Sequence, residues 1–281
     1  MSLSASLPRR IVCLTEETTE ILYLLGEEDR IVGISGFTVR PPRARREKPK
    51  VSAFTSAKIE RIVALKPDMV LGFSDLQADI AADLIRQGMT VLVFNQRSVD
   101  EILSLIRILG GLVGAQVRAE SLVSDYSSRI DQCRAISSQQ LRRPRVYFEE
   151  WDDPPISAIR WVSELIGIAG GDDIFPELAQ CPDGKSRIIA DPEEVIRRQP
   201  DIIIGSWCGK KFRPEKVAAR PGWSEIPAVK NNALYEIKSA EILQPGPAAL
   251  SDGLSRLCTI MNTWHTALAQ PASNPRPHVT A

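Results

Sequence analysis

The feature that most restricts this chain is that it is written twice. The stretch Glu60-Arg61-Ile62-Val63-Ala64-Leu65-Lys66-Pro67-Asp68-Met69-Val70-Leu71-Gly72 returns 133 residues later (60 to 193) as Glu193-Glu194-Val195-Ile196-Arg197-Arg198-Gln199-Pro200-Asp201-Ile202-Ile203-Ile204-Gly205. Both copies read as an acid, an amphipathic helix, Pro-Asp, a short apolar strand and a glycine. Their openings repeat at almost the same spacing, 135 residues (10 to 145), with Arg10-Ile11-Val12 matching Arg145-Val146-Tyr147. After each opening come an acidic turn and a helix, Thr18 to Leu25 in one copy and Ile159 to Ile168 in the other. Two matches in the same order predict one α/β unit built twice.

Each copy alternates short β-rich runs with helical periods, which predicts mostly parallel sheets. In the first copy the expected strands are Ile11–Leu14, Ile31–Ile34, Val70–Phe73 and Val91–Phe94. The helices between them are expected to start behind Ser56, before Ile59–Leu65, and behind Ser98, before Glu101–Leu109. Proline cannot continue a helix, and it biases Lys66 and Gln199 away from the right-handed helical region, so the chain must turn into the next strand. From Ala115 to Leu141 there is no Pro or Gly, and Val117, Leu122, Val123, Tyr126, Ile130 and Cys133 fall at largely helical spacing. One long helix is expected there. The organisation read from the chain is an N-terminal α/β lobe over 8–114, a linking helix over 115–141, a C-terminal α/β lobe over 142–269 and a disordered tail over 270–281.

Composition removes several function classes. Lys+Arg and Asp+Glu both number 35, so net charge suggests no nucleic-acid partner. Basic runs at Arg40–Arg46 and Arg142-Arg143 lack the interleaved aromatics of a base-stacking surface. Five scattered cysteines without metal-ligand spacing read as free thiols of a reducing compartment. Met1 to Arg10 contains no apolar leader core, so as written the chain is expected in the cytoplasm, and in the periplasm or membrane-tethered if its natural start lies upstream. The only histidines are His265 and His278, and no catalytic triad, zinc, P-loop or dinucleotide motif is present. The expectation is a protein that is not an enzyme and has no intrinsic cofactor or metal.

Two groups remain as candidates for function. Glu149-Glu150-Trp151-Asp152-Asp153-Pro154-Pro155 follows the strand Val146–Phe148, at the carboxyl end where open α/β sheets place ligands. It is read either as an acidic surface turn or as part of a site. Phe37, Phe54 and Phe73 in the first copy, with Trp151 and Trp207 in the second, all fall at strand ends or in strand-to-helix loops, which suggests a lined cleft.

The order Phe37…Pro41-Pro42, Val51-Ser52…Phe54, then Ile59 to Asp68 resembles the cobalamin-binding proteins of ABC importers, within the helix-linked substrate-binding class that also carries siderophores and haem. The resemblance runs from about Arg10 to Leu268. Glu149 to Pro154, with Ile159 to Leu165, looks like a subgroup usually labelled cobalamin-binding. It implies two similar α/β lobes joined by one long helix and a monomer that carries cobalamin or a related metal chelate to a permease and ATPase complex. It further implies ring contacts from Phe37, Phe54 and Phe73, and docking acids at Glu60 and Glu193, one on each lobe. With Trp151 and Trp207 as further apolar contacts, the polar rim of the cargo is expected to meet Glu150, Asp152, Arg160 and Gln244. The alternatives are a siderophore or haem as cargo, or a cytoplasmic corrinoid- or metal-chelate-handling protein or enzyme that uses the Glu149–Asp153 turn.

Overall fold

A computed structural model describes residues 7–269; the expected tail from Gln270 lies outside them. The N-terminal lobe runs β1 (Ile11–Cys13), α1 (Glu16–Leu24), β2 (Ile31–Ser35), α2 (Ala44–Glu47), β3 (Lys50–Ser52), α3 (Ile59–Ala64), β4 (Met69–Phe73), α4 (Ala78–Arg86), β5 (Val91–Phe94) and α5 (Val99–Val113). The linking helix α6 spans Gln116–Ser137. The C-terminal lobe follows as β6 (Arg145–Asp152), β7 (Pro155–Ser157), α7 (Arg160–Ile168), β8 (Asp172–Asp173), α8 (Glu193–Arg197), β9 (Ile202–Gly205), α9 (Pro214–Ala218), α10 (Pro227–Lys230), β10 (Leu234–Glu236), α11 (Ser239–Ile242) and α12 (Leu254–Ala269).

The repeat is visible in the sheets. In the first, ordered β3-β2-β1-β4-β5, every neighbour is parallel, with Val12 opposite Val70 and Val70 opposite Val91. In the second, β6 takes the place of β1: it pairs in parallel with β8 and β9, and β9 pairs with β10. The added β7 is antiparallel to β6.

The Pro-Asp motif does the same work in both copies. Lys66 and Gln199, the residues before the prolines, adopt φ of +48° and +44°, so the helix ends in a left-handed step. Each aspartate then clamps the start of its lobe's first strand. Asp68 Oδ1 accepts from Arg10 N at 3.0 Å while its own N–H donates to Arg10 O at 2.9 Å. Asp201 Oδ2 accepts from Arg145 N at 2.9 Å and its N–H donates to Arg145 O at 2.8 Å. The closing glycines leave room for a neighbour: a Cβ on Gly72 would lie 2.9 Å from Gln77 Oε1, and one on Gly205 would overlap the Phe212 ring.

Differences from the sequence reading have local causes. Strand β3 was not expected. α3 starts at Ile59 behind Lys58, with no side-chain cap, so Ser56 plays no capping part. Ser98 does cap, in a reciprocal box with Glu101, and α5 runs on to Val113 before Gly114 ends it in a left-handed turn. α6 stops one turn short of Leu141, where the Ser137 and Ser138 hydroxyls bond back to Arg134 O and Ala135 O and no apolar residue holds the next turn to the core. At ~1.5 Å per residue α6 is about 33 Å long. One apolar cluster runs unbroken from Ile11 and Ile34 through Leu109 of α5 and Val123 of α6 to Leu165 of α7 and Leu257 of α12, so the lobes share a core. Smaller clusters lie on the outer face of each sheet.

Replacing the clamping carboxylates measures what they contribute. Asp201 is buried and Asp68 exposed, so Asp201→Ala is expected to cost about 2–3 kcal/mol in urea unfolding and Asp68→Ala about 1 kcal/mol or less. Equal and negligible losses would remove the clamp from the account of the fold.

Candidate functional site

Parallel strands bring all their carboxyl ends to one edge, and the two sheets turn those edges toward each other. The loop after β1 carries Glu16 and Glu17; burial, then the Glu150 and Glu16 carboxylates, raise the Cys208 thiol in the loop after β9. Burial lowers the Arg97 guanidinium, and Arg187 of the other lobe is close enough to lower it further. Direct ties set the spacing. Gln96 Nε2 donates to Pro245 O at 3.0 Å, Val99 N to Glu164 Oε2 at 2.7 Å, and Ala248 N to Glu20 Oε2 at 3.2 Å. Arg40 bridges Glu20 and Asp252, each at 2.8 Å.

The N-terminal wall carries the expected phenylalanines, in unequal roles. Phe37, in the turn after β2, is 58% exposed, and Phe54, after β3, is half-buried. Phe73 corrects the expectation: it is 5% exposed at the end of β4, with the Arg97 guanidinium 4.9 Å from its ring centre, so it packs and presents almost no ring to a cargo. Its backbone still matters. The fully buried Gln77 takes a hydrogen bond from Phe73 N at 2.9 Å and donates to Phe54 O at 2.8 Å, which fixes the Phe54 loop against β4. Leu76, 57% exposed beside them, adds apolar surface that a search for aromatics alone passes over.

On the C-terminal wall the acidic run is not a turn. Glu149 to Asp152 complete β6, and alternation along the strand sends successive side chains to opposite faces. Glu149 is fully buried, accepting from Arg220 at 2.6 and 2.9 Å, from Tyr147 Oη at 2.8 Å and from Trp207 Nε1 at 3.0 Å. Glu150 pairs with the buried Arg187 at 2.7 Å, and Asp152 with Lys210. Every carboxylate of the strand is thus matched to a cation. Trp207 is mostly drawn inward: it is 4% exposed, tied to Glu149 and packed edge-on against Phe212 at 5.1 Å in the outer core, and it lines one side of a cavity beside Lys210. Trp151 stays half-buried at the cleft lip with Lys210 Nζ 4.0 Å above one face.

The remaining expected residues divide. Arg160 bonds Glu164, whose other oxygen caps α5, so it supports the junction between the lobes. Gln244 is half-buried in the segment that crosses between the lobes. Glu60 and Glu193 are exposed in the first turns of the equivalent helices α3 and α8. A cavity of about 520 Å³ spans both lobes between Val39, Arg40, Pro41 and Lys238, Glu241, and a second of about 340 Å³ lies beside Lys210 and Lys238. Both are of ligand size. No group of metal-ligating side chains and no helix able to cross a membrane occurs among the described residues.

Arg97, Arg187, Gln77 and Glu17 escaped the sequence reading, because nothing local marks a lone charge as facing another lobe. Burial pushes the Glu17 carboxyl up to about 8, against the opposing hydrogen bond from Thr15 Oγ1 at 2.6 Å. Between the ordinary carboxylate range and pH ~8 the folded protein keeps this proton while the unfolded chain releases it, so Glu17 makes stability fall as pH rises through that window. Glu17→Gln is expected to give a shallower decline between pH 5 and 8 in denaturant titrations. An unchanged slope would show that Glu17 ionises freely in the folded state.

Comparison with known proteins agrees with this geometry. An ABC transporter substrate-binding lipoprotein of Bacillus subtilis, itself uncharacterized, is 27% identical over 262 residues, covering 89% of this chain and 79% of its own. The vitamin B12-binding protein of Vibrio cholerae is 26% identical over 262 residues, covering 90% and 88%. A periplasmic haem-binding protein of Pseudomonas aeruginosa shares the fold, with a TM-score of 0.78 at 20% identity, over 96% of both chains. These descriptions, a lipoprotein and a periplasmic protein among them, give the cytoplasmic expectation no support, and all are of binding proteins. The periplasmic binding protein family model matches residues 11–241, most of both lobes, and the chain therefore belongs to the periplasmic binding protein family.

Proposed function

We propose that this protein is the substrate-binding component of an ABC-type importer and carries cobalamin or a related corrinoid between its lobes, outside the cytoplasmic membrane. The observation that carries this reading is the exposed apolar surface at the facing sheet edges, Phe37, Phe54 and Leu76 on one side and Trp151 on the other, beside a strand β6 whose three carboxylates are each paired with a cation. Such surface holds a large flat chelate by burial and ring contact and performs no chemistry on it. The similarity to vitamin B12-binding and ABC substrate-binding proteins supports the same reading. Glu60 and Glu193, one exposed acid at the same place in each copy, are proposed to dock on the permease of a permease–ATPase complex, whose two halves would each meet one lobe.

A second reading, an anionic chelate such as haem or a carboxylate siderophore, is favoured by one observation. Arg97 keeps part of its guanidinium in the cleft, with Asp75 as far as 3.7 Å away. Calorimetric titration with cyanocobalamin, haemin and ferric siderophores separates the two. A corrinoid is expected to bind with micromolar or tighter affinity, about −8 kcal/mol. Binding of the anionic chelates alone, weakened by Arg97→Ala, would select the second reading, and binding of none would reject both. Phe54→Ala is expected to weaken cargo binding by ~1–3 kcal/mol, roughly 5- to 150-fold, with little loss of stability because the ring is only half-buried. A stability loss of ~3–5 kcal/mol with unchanged affinity would instead make Phe54 a core residue.

A further inference from the structure

Two cysteines that are 125 residues apart in the chain meet where the linking helix crosses the C-terminal helix. Cys133 lies on α6 and Cys258 on α12, with their sulfur atoms 3.2 Å apart. Both are partly buried against the core cluster shared by the lobes. One turn earlier on both helices Arg129 Nη1 reaches Ser255 Oγ at 3.5 Å, a second contact that keeps the helices in register here. We propose that Cys133 and Cys258 are a disulfide site that fastens the linking helix to the C-terminal helix once the protein meets a thiol–disulfide oxidant.

The sulfurs need to close by roughly an ångström to reach the bonded separation of about 2.05 Å, within reach of side-chain rotation on two packed helices. The chemistry is ordinary exchange. A thiolate of the pair attacks the oxidant's disulfide, forming a mixed disulfide and releasing one thiolate. The second cysteine, deprotonated, displaces the oxidant's remaining sulfur. The pair loses two electrons and two protons, and the oxidant leaves as two thiols. Burial, with Cys133 alongside, pushes the Cys258 thiol up to about 12, so closure is slow and favoured by mildly alkaline pH. The bond would close a loop of more than a hundred residues around the whole C-terminal lobe sheet, where a cross-link restricts the unfolded chain most. Such a bond persists in an oxidising compartment, and it replaces the reading of all five cysteines as free thiols. It does not depend on which cargo the protein carries.

The test is thiol counting on the full folded chain after prolonged incubation with oxidised glutathione at pH ~8. Acid quenching, denaturation, alkylation and peptide mapping by mass spectrometry would follow. The expected result is three alkylated cysteines in place of five, with one cross-linked peptide pair containing Cys133 and Cys258. The oxidised protein should melt several degrees higher than the reduced one, and Cys258→Ser should melt at the same temperature with and without dithiothreitol. Five alkylated cysteines, glutathione adducts without a cross-link, or a cross-link to Cys13, Cys181 or Cys208 would overturn the proposal. Mapping of the unsubstituted protein decides the matter even if Cys258→Ser fails to fold.

Discussion

A carboxylate placed one residue after a proline fixes where each half of this molecule begins. Asp68 and Asp201 hold both backbone groups of Arg10 and Arg145, so the central strand of each sheet starts at a set height beside the strand that the aspartate itself opens. Parallel pairing then brings every carboxyl end to the same edge. The loops that leave those ends, with Phe37 and Phe54, and the end of β6 itself, with Trp151 and the Arg187–Glu150 pair, inherit their positions from this register. The site is therefore a consequence of how the sheets are started.

What turns two such edges into one cleft is the junction. The core continues from α1 and α5 through α6 to α7 and α12, and the polar ties Gln96–Pro245, Glu20–Ala248, Glu164–Val99 and Glu20–Arg40–Asp252 cross at several points. Opening the cleft widely would break buried hydrogen bonds and expose packed apolar surface together. Binding accordingly relies on surface already in place, with small rocking in place of a wide hinge. Preorganisation of this kind limits the ordering cost of association. It suits a carrier that must release an intact cargo to a partner.

The repeat, the parallel strands, the Ser98 cap and the long helix were legible because each is encoded within a few residues: a period, a proline, a capping box. The site was legible only in part. Phe37 and Phe54 sit in loops at strand ends, as expected, and Trp151 near the end of β6, but burial depends on residues far away in the chain. Glu149 stood in a run open to two readings, a surface turn or part of a site, yet on β6 it shares a face with Tyr147, toward the outer core, where Arg220 waits 71 residues on. Glu150, one residue later, faces the other side and meets Arg187. Trp207 and Phe73 were drawn inward by such partners, Glu149 and Arg97 respectively. Local sequence cannot announce a charge 71 positions away, nor the meeting of Cys133 with Cys258.

The central claim is that one cargo touches both lobes at once along the facing sheet edges. Hydrogen exchange with and without a saturating corrinoid, read by mass spectrometry, tests it most directly. The account predicts new protection in the loops after β2, β3 and β4, around Phe37, Phe54 and Leu76, together with protection around Glu150 to Asp152 and Cys208 to Lys211. The solvent faces of α3 and α8, with Glu60 and Glu193, should be unaffected. Protection confined to one lobe, or lying away from the strands' carboxyl ends, would contradict it.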